Sequence, residues 1–243
     1  MKFGPATFGE LNADDYDALH DPGTTQESVA LIQEIAAGGR VLELAIGTGR
    51  MSIPLAENGL EISGIEGSPD MVEKLREKPG GKNIPVVIGD IADVEIEGPF
   101  DHVFLVFNTL FNLTSQEAQV RCFRNVARRL REGGTFLVET FVPDAEHIRS
   151  GQWIRTMKVD FSSVWIEAAQ HDPIAQTFDF QRIRIAESGL RLVPLVMRYA
   201  FPPEMDLMAQ LAGLRLKNRW GGWRREPFTA DSKMHVSLYE KPV

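Results

Sequence analysis

The chain has one cysteine, Cys122, in 243 residues. No disulfide can close within it, and a reducing compartment is the expected setting. No apolar run approaches the ~20 residues that cross a bilayer. Basic charge is also short: 26 Lys and Arg against 34 Asp and Glu give a formal net charge of -8, which argues against a nucleic-acid partner. The five histidines are scattered without a ligand spacing, so no metal site is expected. The opening "MKFGPATFGELNADD" lacks the apolar core of a secretory signal. These absences leave a cytoplasmic protein with no membrane partner as the expectation.

What is present is ordinary globular composition, 43% hydrophobic and 25% charged, with a regular rhythm of elements. "TTQESVALIQEIAAGG" reads as a helix, with Thr24 and Glu27 as a capping box and Gly38-Gly39 as its stop. Val41–Leu44 reads as a strand, followed by a glycine turn and a short helix over "MSIPLAEN". "LEISGIEG" is a second strand, and "SPDMVEKLREKPGG" a helix with Ser68 as cap and Pro69 at its first position. "IPVVIGD" and "FDHVFLVFN" give two more strands. "TSQEAQVRCFRNVARRLREGG" is a longer helix, with Thr114 and Glu117 as a second capping box. "GTFLVETFV" is a fifth strand. Short apolar strands alternating with helices predict a doubly wound, mostly parallel sheet of Rossmann-like α/β type.

From Gln152 to Phe201 the rhythm changes. Long alternating stretches are broken by turn signals at Ser162-Ser163, Asp172-Pro173 and Ser188-Gly189. They predict an inserted antiparallel β-meander of three or four strands. "PPEMDLMAQLAG" then returns to helix, and "LRLKNRW" and "MHVSLYEKP" to strands, the last antiparallel. The expected division is a cofactor-binding domain over 1–143 and 202–243, with 1–24 as a lid segment. Residues 144–201 form the insert, a wall or lid over the substrate.

The stretch "VLELAIGTGR", Val41 to Arg50, is a strand running into a glycine turn and a helix. Such a turn offers outward-facing amides to an anion or nucleotide. "GTGRMS", Gly47 to Ser52, fits a dinucleotide fingerprint, and Glu66 stands 19 residues after Gly47, where a ribose-binding acid is expected. NAD is therefore one reading. Two features favour another: Glu43 sits inside the apolar first strand, and Asp90 ends the third, placed to accept from an amino group.

In these segments, with "GIEGSPDMVEKL", "FLVFNTLFNL" and "EGGTFLVETF", the sequence resembles the class I S-adenosylmethionine-dependent methyltransferases. The meander and "DDYDALHD" resemble the small-molecule subgroup, including amino-sugar N-methyltransferases and glycine N-methyltransferase-like enzymes. The resemblance implies S-adenosyl-L-methionine as cofactor. Glu43 would hold the methionyl amino group, and Ala45, Gly47 and Gly49 would pass close to the methionine. Glu66 would accept the ribose hydroxyls, Met71 would lie against adenine, and Asp90 with the Ile91 amide would read its edge. The Phe107 carbonyl would complete the amino-group site. The family turn often begins with glycine; Ala45 is tolerable there with a negative φ.

Methyl transfer asks a protein mainly to align and desolvate. Tyr16, resembling a cofactor-capping lid tyrosine, Asn108 beside Phe107, and His171 in the meander are the catalytic candidates. His102 lies at the wrong end of its strand, His235 reads as structural, and His20 and His147 flank the cleft-forming elements. Trp220, Trp223 and Arg224, in the basic and aromatic "KNRWGGWRREPF", are substrate-contact candidates. The expected function is methyl transfer to an N or O nucleophile of a small molecule. The alternatives are an NAD-dependent oxidoreductase and a cofactor-binding module without turnover. An open edge of the inserted sheet leaves room for a homodimer.

Overall fold

The computed structural model describes residues 4, 6–20, 22–143 and 151–243. His147 and the start of the expected insert lie outside the described residues. Two short helices, α1 (Thr7–Asn12) and α2 (Tyr16–Leu19), precede α3 (Thr25–Ala36). Strands β1 (Val41–Leu44), β2 (Ile62–Glu66), β3 (Val86–Ile88), β4 (Phe100–Leu105) and β5 (Leu130–Phe141) alternate with α4 (Ser52–Glu57), α5 (Pro69–Glu77) and α6 (Gln116–Arg129). Four strands follow, β6 (Gln152–Val159), β7 (Ser163–Asp172), β8 (Thr177–Ala186) and β9 (Gly189–Arg198). The described chain closes with α7 (Pro202–Leu211), β10 (Arg215–Trp220) and β11 (Met234–Glu240).

The main sheet runs β10-β11-β5-β4-β1-β2-β3. Its β1 to β5 pairs are parallel, and β11 pairs antiparallel with both β5 and β10. Side-chain alternation divides each strand between two cores. Leu42, Val103, Leu105, Phe136 and Val138 pack with Phe123 and Val126 of α6 and Met205 and Met208 of α7. Val41, Phe104 and Leu137 pack oppositely with Ile32 of α3, Leu55 of α4 and Leu75 of α5. Both faces are covered, as continuous apolar strands require. Cys122 is buried on α6, where desolvation pushes its thiol well above the ordinary range.

β6 to β9 form a separate sheet in simple meander order, with turns where the serine and proline signals fall. Phe178, Leu195 and Met197 from it join the α6 side of the main core. Helix caps differ from expectation in detail. Ser115, not Thr114, caps α6, accepting from the Ala118 amide at 3.1 Å. Thr24 makes no side-chain cap; the Ser28 hydroxyl donates to the Thr24 carbonyl at 2.9 Å instead. Ser68 does cap α5, accepting from the Met71 amide, with Pro69 at the first position.

The turn after β1 is held against α5 with no room to spare. Gly49 has φ +84, and a methyl group added there would collide with Leu75 Cδ1 and lie 3.0 Å from Ile53 Cδ1. Gly49→Ala is therefore expected to destabilise the protein by about 1–3 kcal/mol through strain and overpacking. A fall in the urea midpoint at unchanged m-value would measure it; an unchanged midpoint would contradict the packing.

Candidate active site

The carboxyl ends of the parallel strands open into a cavity of about 490 Å³. That size accommodates a nucleotide-like ligand and leaves space beside it. Ala45 and Gly47 after β1, Glu66 at the end of β2, Asp90 and Ile91 after β3, and Phe107 and Asn108 after β4 all line it. α1 and α2 lie across this opening, contributing Phe8, Gly9 and Tyr16, with His20 following. Met71, from the first turn of α5, completes that end.

Glu66 is nearly buried, and its carboxylate accepts from two backbone amides. The Gly47 N–H donates to Oε2 at 2.8 Å and the Ser68 N–H to Oε1 at 2.9 Å. Desolvation nonetheless raises its pKa, the amides opposing. A carboxylate has about four acceptor positions, so Glu66 can still take donors from a ligand. Asp90 uses Oδ1 in an Asx turn to the Ala92 amide at 2.8 Å. Its other oxygen is not part of that turn.

Ala45 departs from expectation, with φ +55 rather than a negative value. The Ile46 N–H donates to the Ile65 carbonyl at 3.0 Å, carrying the chain back over β2, and Gly47 follows at φ +56. Phe107 and Asn108 are left-handed too, at φ +61 and +62. Their turn is fastened by Glu139 of β5, which accepts from the Phe107 amide, and by Asn108 Oδ1, which accepts from the Phe141 amide at 2.6 Å. Asn108 therefore offers a ligand its NH₂, a donor and not a base. Glu139 was missed in the sequence, although an acid inside "FLVETF" is the same signal as Glu43 inside "VLEL".

Glu43 does not line the cavity. It is buried below the turn, where the Ser52 hydroxyl donates to it. Burial pushes its pKa up to about 8, with Ser52 and Arg50 opposing and Glu66 adding. Gly49 likewise packs against Leu75 without reaching the cavity wall.

Tyr16 stacks on His20 with centroids 4.8 Å apart and meets Phe8 edge-on. Desolvation raises its phenol to about 12, so the hydroxyl stays protonated. His20 falls to about 4 by burial, the nearby Arg182 assisting, and is neutral. The remaining wall comes from the second sheet, through Arg155, Glu167, Phe180, Arg182, Leu195 and Met197.

Four candidates lie elsewhere. His171 does not reach the cavity; its ring is buried between Phe178 and Tyr199, with Nε2 3.2 Å from the Tyr199 hydroxyl. Aromatic packing at the far end of β7 claims it. Trp223 is buried in the α3 side of the main core and Trp220 packs against that core. Arg224 is largely exposed and pairs with Glu27 at 2.6 Å. The loop between β10 and β11 leaves the sheet beside the Phe141 end of β5 and is tied to α3 through Arg224–Glu27 and Arg225–Glu34, without lining the cavity. His235 is buried between Thr140 and Ser237, and His102 against Thr135. Among the described residues no three His, Cys, Asp or Glu side chains gather as a metal site. No helix among them is long and apolar enough to cross a membrane.

A Rossmann-like sheet with acids at the tips of β2 and β3 defines a nucleoside-binding α/β protein. Residues 41–134 match a methyltransferase domain family. The CcbJ methyltransferase of Streptomyces caelestis is 38% identical, with 99% of this chain and 100% of that one covered and a TM-score of 0.94. The cypemycin N-terminal methyltransferase of a Streptomyces species is 26% identical over 98% of each chain. CalS10, an amino pentose methyltransferase of Micromonospora echinaspora with S-adenosylmethionine bound, shares the fold at a TM-score of 0.70 and 14% identity, over 94% of this chain and 95% of that one. This chain belongs to the class I S-adenosylmethionine-dependent methyltransferases. It is an enzyme that uses S-adenosyl-L-methionine, and the oxidoreductase alternative is not favoured.

The left-handed alanine has a measurable consequence. Such a conformation costs a non-glycine residue about 1–2 kcal/mol, partly offset by glycine's larger unfolded-state entropy. Ala45→Gly is expected to stabilise the ligand-free protein by about 0.5–1 kcal/mol in urea unfolding. A loss of stability would contradict the turn geometry.

Proposed function

We propose that this enzyme N-methylates a small-molecule amine. The observation that carries this reading is a single cavity lined both by the acids at the β2 and β3 tips and by the second sheet. That arrangement suits a small acceptor. It rests on the amino-acceptor names of its relatives as well.

The residues favour nitrogen over oxygen. An alcohol must lose its proton during attack, whereas a neutral amine brings its own lone pair. The candidate bases in the cavity are committed: Tyr16 stays protonated, His20 Nε2 accepts from Arg182 at 3.1 Å, and Glu167 is paired to Arg155 and Arg182. When bound, S-adenosylmethionine supplies an electrophilic methyl group on a sulfonium. In this reading Glu66 takes the ribose hydroxyls, Asp90 and the Ile91 amide hold the adenine edge, and Met71 lies against its ring. Ala45 and Gly47 line the methionine path, with Gly49 fixing the turn behind it. The Phe107 carbonyl serves the amino group and Glu43 neutralises it from below. Tyr16 caps the cleft and Asn108 donates to the acceptor. Residues 1–24 act as lid, 144–201 as acceptor wall, and 1–143 with 202–243 as the cofactor domain.

Matched amines and alcohols of one carbon frame test the reaction. Release of S-adenosylhomocysteine is expected from amines only; equal turnover of alcohols would overturn the nitrogen assignment. Glu66→Ala is expected to weaken cofactor binding by about tenfold or more, measured by calorimetry.

Glu43 adds a pH dependence. Its folded pKa of about 8 leaves it protonated at neutral pH, and a bound cation favours the ionised form. Cofactor binding should then release a proton below about pH 8, and affinity should rise with pH up to that point. Calorimetry in buffers of different ionisation enthalpy would count the proton. Glu43→Gln should abolish it; identical proton release in the variant would remove Glu43 from this role.

A further inference from the structure

The second sheet places three charged side chains in one row facing the cavity. Arg155 of β6 and Arg182 of β8 each stand opposite Glu167 of β7 in register. All three line the cavity. Glu167 is 1% exposed, while the Arg155 side chain is half exposed and that of Arg182 is 22% exposed. Glu167 Oε1 accepts from Arg155 Nε at 2.8 Å and Nη2 at 2.7 Å. Its Oε2 accepts from Arg182 Nε at 3.3 Å. Arg182 Nη1 donates to His20 Nε2 at 3.1 Å, and the His20 Nδ1 lies 3.3 Å from the Tyr16 carbonyl. That pairing fits a neutral imidazole protonated on Nδ1, which adds no charge.

The row therefore holds two cations against one anion. One arginine neutralises the charge of Glu167; the second also satisfies its other oxygen and leaves the row with a net positive charge facing the cavity. Each guanidinium has five N–H donors in a planar fork, and those described above leave several on each. The cavity's other acids, Glu66 and Asp90, stand at the β2 and β3 tips.

We propose that Arg155 and Arg182 form an anion pocket for the acceptor, which is thus an amine that also bears a carboxylate or phosphate. Glu167 holds one N–H edge of each guanidinium, leaving their other donors for an anion in the cavity. The pocket would orient the acceptor from its anionic end and present its nitrogen toward the cofactor end. This deepens the N-methylation reading and depends on the acceptor lying against the second sheet.

The test is binding, so that it does not wait on knowing the acceptor. Protein saturated with S-adenosylhomocysteine is titrated calorimetrically with cyclohexanecarboxylate, cyclohexyl phosphate and cyclohexanecarboxamide. At least one anion should bind about tenfold or more tightly than the neutral carboxamide, and the better one tells carboxylate from phosphate. Arg155→Met, at a half-exposed position, should erase that preference while S-adenosylhomocysteine still binds. Glu167→Gln, nearly the same shape but without the charge, should tighten anion binding, an effect opposite to that of a damaged wall. Equal affinity for anions and carboxamide, an anion preference that survives Arg155→Met with Arg182→Met, or weakened anion binding in Glu167→Gln would each overturn the pocket. Anion binding with no amine ever methylated would instead count against the proposed reaction alone.

Discussion

The site depends on one buried carboxylate and the two amides it holds. Glu66 joins the turn after β1, through the Gly47 N–H, to the start of α5, through the Ser68 N–H. Ser68 in turn caps α5 through the Met71 amide, and Gly9 of α1 packs so tightly on Ser68 that a Cβ there would collide with it. Strand tip, glycine turn, helix start and N-terminal segment are thus fixed relative to one acid. The arrangement costs solvation, since amides only partly replace water around the charge. The carboxylate keeps acceptor positions that the two amides do not fill, and they face the cavity that Glu66 lines.

Much of this was legible in the sequence, for a reason visible residue by residue. Acids at the ends of apolar strands stand where the sheet gives way to its loops, so Glu66 and Asp90 mark that edge as polar in the sequence itself. The alternation of β7 and β8 and their serine and glycine turns likewise predicted the meander, while its register came only with the structure. What stayed hidden depends on packing between elements. The sign of φ at Ala45 is set by how the turn closes over β2, not by alanine. The tryptophan loop carried every mark of a ligand grip, yet Trp223 is spent on the α3 core.

The meander shows the limit most clearly. Strand parity places Trp165, Glu167, Ala169 and His171 on one face, and all four are buried. Parity cannot say where along that face the cavity ends. Glu167 lies within it, and two rungs on, at His171, Phe178 and Tyr199 have closed over the sheet. The histidine drew notice because of its chemistry. The arginines were overlooked because charges on an alternating strand ordinarily mark its solvated side.

The N-terminal segment and the deep site are held by different kinds of force. Phe8 packs on the main core, and His20, stacked on Tyr16, meets Phe107 edge-on. Most other ties are polar and near the surface: Asp17 with Thr48 at 2.6 Å and Lys78 at 2.6 Å, Asp14 with Lys74 at 3.0 Å, and Asp15 with Arg191. Exposed ion pairs of this kind are worth roughly 0–1 kcal/mol each. They specify where the segment sits and add little to the packing of Phe8 and Gly9 beneath it. Glu66 and its amides, by contrast, sit where water is scarce and geometry must not yield. The distribution of burial along the chain follows that difference: deep hydrogen bonds at the strand tips, surface charge along α1 and α2.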